Sequence, residues 1–123
     1  PSQMPALLAY KKEKLVGFLF YEIRDDLCEI IAFEAFDKFT GLGTKLLEKM
    51  KSVAKNQHGC SKIFLMTTND NLDALRFYQK KGFNISGISL DSVKKSKELK
   101  PSIGKVGDYG IPVRDEIDLS LEI

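Results

Sequence analysis

Two stretches of this chain combine residue types and spacings that can do chemistry. The first is Lys38-Phe39-Thr40-Gly41-Leu42-Gly43-Thr44. Glycines at the junction of a strand and a helix expose backbone N–H groups and let a ligand approach closely. The helix N-terminus adds partial positive charge, so a phosphate or pyrophosphate is favoured there. Lys38 and Lys45 can add whole charges. The same glycines would also serve a tight turn that binds nothing. Two nucleotide patterns fail on spacing. A dinucleotide fingerprint wants a third glycine where Leu46 stands. A P-loop wants Gly-Lys-Ser/Thr, whereas the order here is Gly43-Thr44-Lys45. The second stretch runs from Asn71 to Phe83. On a helix its Ala74, Phe77 and Tyr78 share one face. Taken alone, Tyr78 is a core aromatic with its hydroxyl at the rim.

Other chemistries have little support. Cys28 and Cys60 are far apart, and the only histidine is His58. Neither cysteine has a partner at metal-ligand spacing, so no metal site is expected. Both are expected to be buried, reduced thiols. His58 precedes Gly59 where a helix should end, and a basic group there suits the helix dipole. Nineteen basic and 17 acidic residues leave a formal charge of +2. That balance, without stacking aromatics among the lysines, argues against nucleic acid. No apolar run approaches the ~20 residues of a membrane span, and no signal pattern opens the chain. A cytoplasmic protein with no membrane partner is the expectation.

The elements that must position these residues can be read from periodicity. The 123 residues fit one domain, 1–123. Ala6–Tyr10, Leu15–Ile23 and Cys28–Phe36 read as strands, with turns at Lys11–Lys14 and Asp25-Asp26. The first of these turns lacks the Asn-Gly type of hairpin signal. Leu42, Leu46, Leu47, Met50, Val53 and Ala54 then recur at spacings of three and four, which predicts an amphipathic helix ending near His58-Gly59. Lys62–Thr68 reads as a strand buried on both faces. Asn69-Asp70-Asn71 signals a helix start, and that helix ends at Gly82. Phe83–Leu90 is a strand. Asp91 or Ser92 caps a lysine-rich helix reaching about Lys100, which Pro101 ends. A long loop to Arg114 follows, then a half-buried strand from Ile117 to Ile123. A meander followed by alternation predicts a mixed α/β sheet.

Together the motifs reach a family. Lys38-x-x-Gly41-x-Gly43 after a strand resembles the acyl-CoA signature of GCN5-related N-acetyltransferases, and Asn71-x-x-Ala74-x-x-Phe77-Tyr78-x-x-x-Gly82-Phe83 resembles their second motif. The intervening helix and strand also match, and the tail Gly110–Ile117 looks like that of small bacterial members. The resemblance implies an α/β (α+β) fold of the acyl-CoA N-acyltransferase type: a mixed, mostly antiparallel central sheet with flanking helices. It implies acetyl transfer from acetyl-CoA, without a metal, to a primary amine in one ternary complex. Gly41, Leu42, Gly43, Thr44 and Lys38 would hold the pyrophosphate. The pantetheine arm would pair with the edge of the Cys28–Phe36 strand as an added strand, and that strand would splay from Lys62–Thr68. A backbone N–H at Phe33, Glu34 or Ala35 would face the developing oxyanion. Asn71 would bond the CoA arm, with Ala74 and Phe77 beside it, and Tyr78 would act as general acid. A strand carboxylate would serve as base. Glu29 and Glu34 are the candidates, alignment favouring Glu29. Their parity places them on opposite faces. Arg114, Asp115 and Glu116 sit where family members cover the acceptor.

The chain departs from the family at Lys38, where Gln or Arg is usual, and at Phe39, where Gly often stands. The usual N-terminal strand and two helices are missing, so the sequence is either a fragment or a domain that did not retain them. A homodimer is compatible with the resemblance. The competing functions are a non-catalytic CoA-binding domain and an interaction domain in which both motifs are structural. The acceptor is not legible.

Overall fold

A computed structural model describes residues 4–36, 40–93 and 106–123. Lys38, Phe39, the lysine-rich stretch to Lys100 and Pro101 lie outside the described residues. The described elements are β1 (Ala6–Lys11), β2 (Lys14–Arg24), β3 (Leu27–Ala35), α1 (Leu42–Ser52), β4 (Lys62–Thr68), α2 (Leu72–Lys80), β5 (Asn84–Ser89) and β6 (Glu116–Glu122). The strands form a six-stranded mixed sheet in the order β1-β2-β3-β4-β6-β5. This is the expected mixed, mostly antiparallel sheet with flanking helices. The chain divides into two compact units, residues 1–64 with 122–123, and residues 65–121.

In the first unit, β1, β2 and β3 form the expected antiparallel meander, and β3 pairs with β4 in parallel from Leu27↔Lys62 to Glu29↔Phe64. The β1–β2 turn uses Lys12 and Glu13, both at positive φ (51° and 70°). That is the conformation of a type I′ turn, usually made by Asn-Gly. On β2, Gly17, Leu19 and Tyr21 alternate as buried residues. Helix α1 packs on this face. A methyl on Gly17 would come within 3.0 Å of Leu46 Cδ1 and 3.2 Å of Leu42 Cδ2, so glycine permits the close approach. Leu46, Leu47 and Met50 supply the buried stripe of α1. A π-helical turn over Val53–Gln57 ends the helix, and Gly59 follows at φ 66°.

The register of β2 and β3 contains a bulge. Phe20 pairs with Ala32 but Tyr21 pairs with Ile30, so Ile31 is the extra residue on β3. A bulge shifts the alternation of side chains by one.

In the second unit, β5 and β6 pair antiparallel from Asn84↔Ser120 to Ser89↔Glu116. Phe83 and Leu119 are buried. Strand β5 begins at Asn84, so Phe83 belongs to the turn before it rather than to the strand. The expectation that β4 is buried on both faces is corrected. Ile63 and Leu65 are buried, but Met66 is 48% exposed. The apolar run marks one buried face plus apolar residues on the other. Of the helix expected after β5, only Ser92 and Val93 are described, and both are helical. No helix among the described residues is long and apolar enough to cross a membrane.

Candidate functional site

The glycine motif lies in the first unit. Gly41 is the N-cap of α1 in the left-handed conformation (φ 80°, ψ 7°). A side chain there would meet nothing within 4 Å, so the space around it is open. Lys45 N–H closes the first turn of α1 on Gly41 O (3.0 Å). The N–H groups of Leu42, Gly43 and Thr44 therefore belong to the first turn, which has no intrahelical acceptor for them. No acidic residue stands in that turn to compete for an anion.

The β3 candidates lie in the same unit. Phe36 N–H donates to Val16 O on β2 (2.8 Å). By strand alternation, the N–H and C=O of Ala35 and Phe33 point to the opposite edge, and those of Glu34 point toward β2. Of the three, Glu34 is thus the poorest backbone donor for a ligand at that edge. The placement of Glu29 and Glu34 on opposite faces is corrected. Glu29 pairs with Glu22 and Glu34 pairs with Phe18, and these partners, four residues apart on β2, share one face. The Ile31 bulge inserts one residue between the glutamates and brings both to that face. Glu29 is ion-paired to Arg24 (2.5 Å), whereas Glu34 is exposed. Sequence parity could not reveal the bulge.

The second motif lies in the second unit. Asn71 caps α2, as the helix-start signal predicted. Its Oδ1 accepts from Ala74 N–H (3.2 Å) and its Nδ2 donates to Thr67 Oγ1 (3.1 Å). Among the described residues one N–H of the amide remains for a further partner. Ala74 and Phe77 are half-buried and Tyr78 is buried. The Tyr78 ring stands edge-on to Phe77 (5.4 Å) and Phe83 (5.3 Å), which fixes its orientation at the C-terminal end of α2.

The long loop before β6 is more organised than its composition suggests. Its described part, residues 106–115, is fastened to the β4–α2 turn. Asn69 Oδ1 accepts from the N–H groups of Arg114 (2.9 Å) and Asp115 (3.0 Å), and Asn69 Nδ2 donates to Pro112 O (3.0 Å). Asp70 is buried and accepts from Asp108 N–H (2.9 Å) and Thr68 Oγ1 (2.5 Å). Burial pushes the Asp70 carboxyl up, but the hydrogen bonds from Thr68, Asp108 and its own backbone outweigh it and hold it below its ordinary value. Tyr109, at φ 59°, donates to Asp73 Oδ1 (2.5 Å), which raises its phenol above the usual range. Asp115 is buried. It is held low by the Arg114 guanidinium first and by Asp91 N–H (2.8 Å) second. Local sequence signals assign Asn69 and Asp70 only to a helix start. The run Thr67-Thr68-Asn69-Asp70 is itself a signal, because four short hydrogen-bonding side chains exceed what one helix cap needs.

Both cysteines are buried and free, as expected. Burial, and then the charge of Cys60, pushes the Cys28 thiol up to about 12. Among the described residues no group of His, Cys, Asp and Glu is placed to hold a metal ion.

This arrangement has relatives. Residues 1–83 match the Acetyltransferase (GNAT) family. The Bacillus subtilis (strain 168) protein YdhI, itself uncharacterized, is 40% identical over 104 residues, 85% of this chain and 64% of its own length. The chain thus spans less than two thirds of that relative. An IAA acetyltransferase from Bacillus cereus ATCC 14579 superposes with a TM-score of 0.82 at 30% identity, over 96% of this chain and 77% of that one. A GNAT family acetyltransferase from Elizabethkingia anophelis, solved with acetyl-CoA bound, gives 0.82 at 26% identity, over 96% and 75%. With a glycine-capped helix after a bulged strand and a second helix carrying Asn71 and Tyr78, this chain belongs to the GNAT acetyltransferase family.

Proposed function

We propose that this protein is an N-acetyltransferase that moves the acetyl group of acetyl-CoA to a primary amine by direct transfer in a ternary complex. The observation that carries this reading is the opening of α1. A left-handed Gly41, open space around it and a first turn without acidic residues form a place for a pyrophosphate. The acetyl-CoA bound to the Elizabethkingia relative supports the same ligand.

The residues divide the work as follows. The N–H groups of Leu42, Gly43 and Thr44 bind the pyrophosphate, with Lys38 adding charge. The outward edge of β3 at Phe33 and Ala35 pairs with the amides of the pantetheine arm and offers an N–H to the developing oxyanion. Asn71 uses its remaining N–H on the arm, and Ala74 and Phe77 line it. As the amine nitrogen bonds to the acetyl carbon, the carbon–sulfur bond breaks. Tyr78 gives its phenolic proton to the departing thiolate. The amine must first lose a proton. Glu29 is engaged by Arg24, so Glu34, on the same face and exposed, is the better placed base, directly or through water. The protein is proposed to act in the cytoplasm, alone or as a homodimer, with no nucleic-acid or membrane partner.

The Glu29–Arg24 pair also favours a second reading, a non-catalytic CoA-binding domain, because the Glu29 carboxylate is already occupied by a structural partner. Thermal unfolding with and without acetyl-CoA, with adenosine 3′,5′-bisphosphate as control, tests the ligand. At about 100 times Kd the folded state gains roughly 2.7 kcal/mol. Tyr78→Phe then separates the readings. An enzyme keeps the shift and loses turnover on an amine panel, whereas a binding domain shows the shift and no turnover in either form. Absence of a shift with the wild-type chain would refute both.

A further inference from the structure

The β4–α2 turn carries more hydrogen bonds than a turn requires, and most of them lead to one segment. Residues 106–115 form a small strap. It is closed on itself by the Val106↔Pro112 bridge, by Gly107 N–H to Ile111 O (2.8 Å) and by Ile111 N–H to Asp108 O (3.0 Å). Four fastenings tie it to the turn and the first turn of α2: Asn69 at Pro112, Arg114 and Asp115; Asp70 at Asp108; Asp73 at Tyr109; and Asn69 N–H to Asp115 O (3.0 Å). Gly107 lies so close to Asp70 that even a methyl group would overlap its carboxylate. Asn71, the next residue along the turn, is held separately through Thr67 and Ala74. Adjacent residues of one turn thus face two ways, Asn71 into α2 and Asn69–Asp70 into the strap.

We infer that Asn69 and Asp70 are positioning residues that couple occupancy of the β4–α2 turn to the strap 106–115. A ligand that bonds the Asn71 amide reduces the freedom of the turn. Because the turn holds the strap by its backbone N–H groups, the strap is ordered with it. A second ligand contacting the strap then meets a segment whose ordering cost has already been met, which is positive coupling without a large displacement. This rests on the proposal that Asn71 contacts acetyl-CoA. Asn69 and Asp70 themselves need touch neither substrate.

Hydrogen exchange of single amides tests both parts. In the ligand-free protein, Asn69→Ala removes the acceptor of Arg114 and Asp115, and their exchange rises about tenfold while the β2 and β3 amides are unchanged. Asn69→Asp keeps an acceptor oxygen and restores slow exchange. Asp70→Asn raises exchange at Asp108. Acetyl-CoA slows the Asp108, Arg114 and Asp115 amides of the wild type. In Asn69→Ala it still raises the unfolding temperature but no longer slows Arg114 and Asp115. Wild-type exchange rates in ligand-free Asn69→Ala would overturn the latch. A temperature shift in the wild type without slowing of the three amides would overturn the coupling. No temperature shift at all would overturn the cofactor proposal and the coupling with it, while the ligand-free rates still decide the latch.

Discussion

Gly107→Ala is the most exacting test of how the strap is held. A methyl group there would lie 2.1 Å from Asp70 Oδ2, 2.5 Å from its Cγ and 2.6 Å from Val113 Cγ2. Val113 can rotate, but Asp70 is buried and bonded on both oxygens. The carboxylate must leave the Thr68 hydroxyl and the Asp108 N–H, or the strap must lift. A hydrogen bond to a charged group contributes about 1.5–3 kcal/mol, so two lost bonds amount to about 3–5 kcal/mol after partial relaxation. Gly107 has φ −105°, so the loss is steric rather than conformational. Gly110→Ala is the control. Gly110 has φ 74° and open space around it, so alanine costs only the left-handed strain of about 1–2 kcal/mol. Urea unfolding reads both. With a slope of about 2 kcal/mol per molar, Gly107→Ala lowers the midpoint by roughly 1.5–2.5 M. In an Asp70→Ala background the carboxylate is gone and the further cost of Gly107→Ala falls to about 1 kcal/mol. A Gly107→Ala midpoint no lower than that of Gly110→Ala, or an equal loss in both backgrounds, would refute the reasoning.

Three further outcomes are expected. Replacing Lys12-Glu13 by Asn-Gly relieves two positive-φ residues of the β1–β2 turn and raises stability by about 1 kcal/mol, read as a higher urea midpoint with an unchanged slope. Asp70 and Asp115 are both held below their ordinary values. Their contribution is therefore fully present above the unfolded carboxylate value of about 3.9 and is lost as pH falls through the folded values. The melting temperature should be flat near neutrality and drop below about pH 4, and Asp70→Asn should make that drop shallower. With Cys28 pushed up to about 12 and Cys60 also raised by burial, a thiol reagent at pH 7 should titrate neither cysteine in the native protein and both in denaturant.

What the amino-acid sequence determined by itself were the features that local periodicity and local chemistry control. The spacing of Leu42, Leu46, Leu47 and Met50 could only be a helix buried on one side. The run Leu15–Ile23, rich in aromatic and branched residues, read as a strand, while which of its faces is buried was left to the structure. Asn71 capped α2 because its short side chain can reach Ala74 N–H, and Gly41 opened α1 because it can take a left-handed turn. The Gly41–Gly43 and Asn71–Phe83 spacings pointed to the family for the same reason. Tertiary structure decided whatever depended on register and on contacts distant in sequence. The bulge at Ile31 is a property of how β3 pairs with β2, and it alone places Glu29 and Glu34 on one face. Arg24 reaches Glu29 only after the hairpin has closed. Lys12 and Glu13 adopt left-handed conformations against their own preference because the paired strands demand it. Asn69 and Asp70 become anchors only when residues some 40 positions later return to meet them, because loop closure is driven by the whole sheet rather than by any local signal.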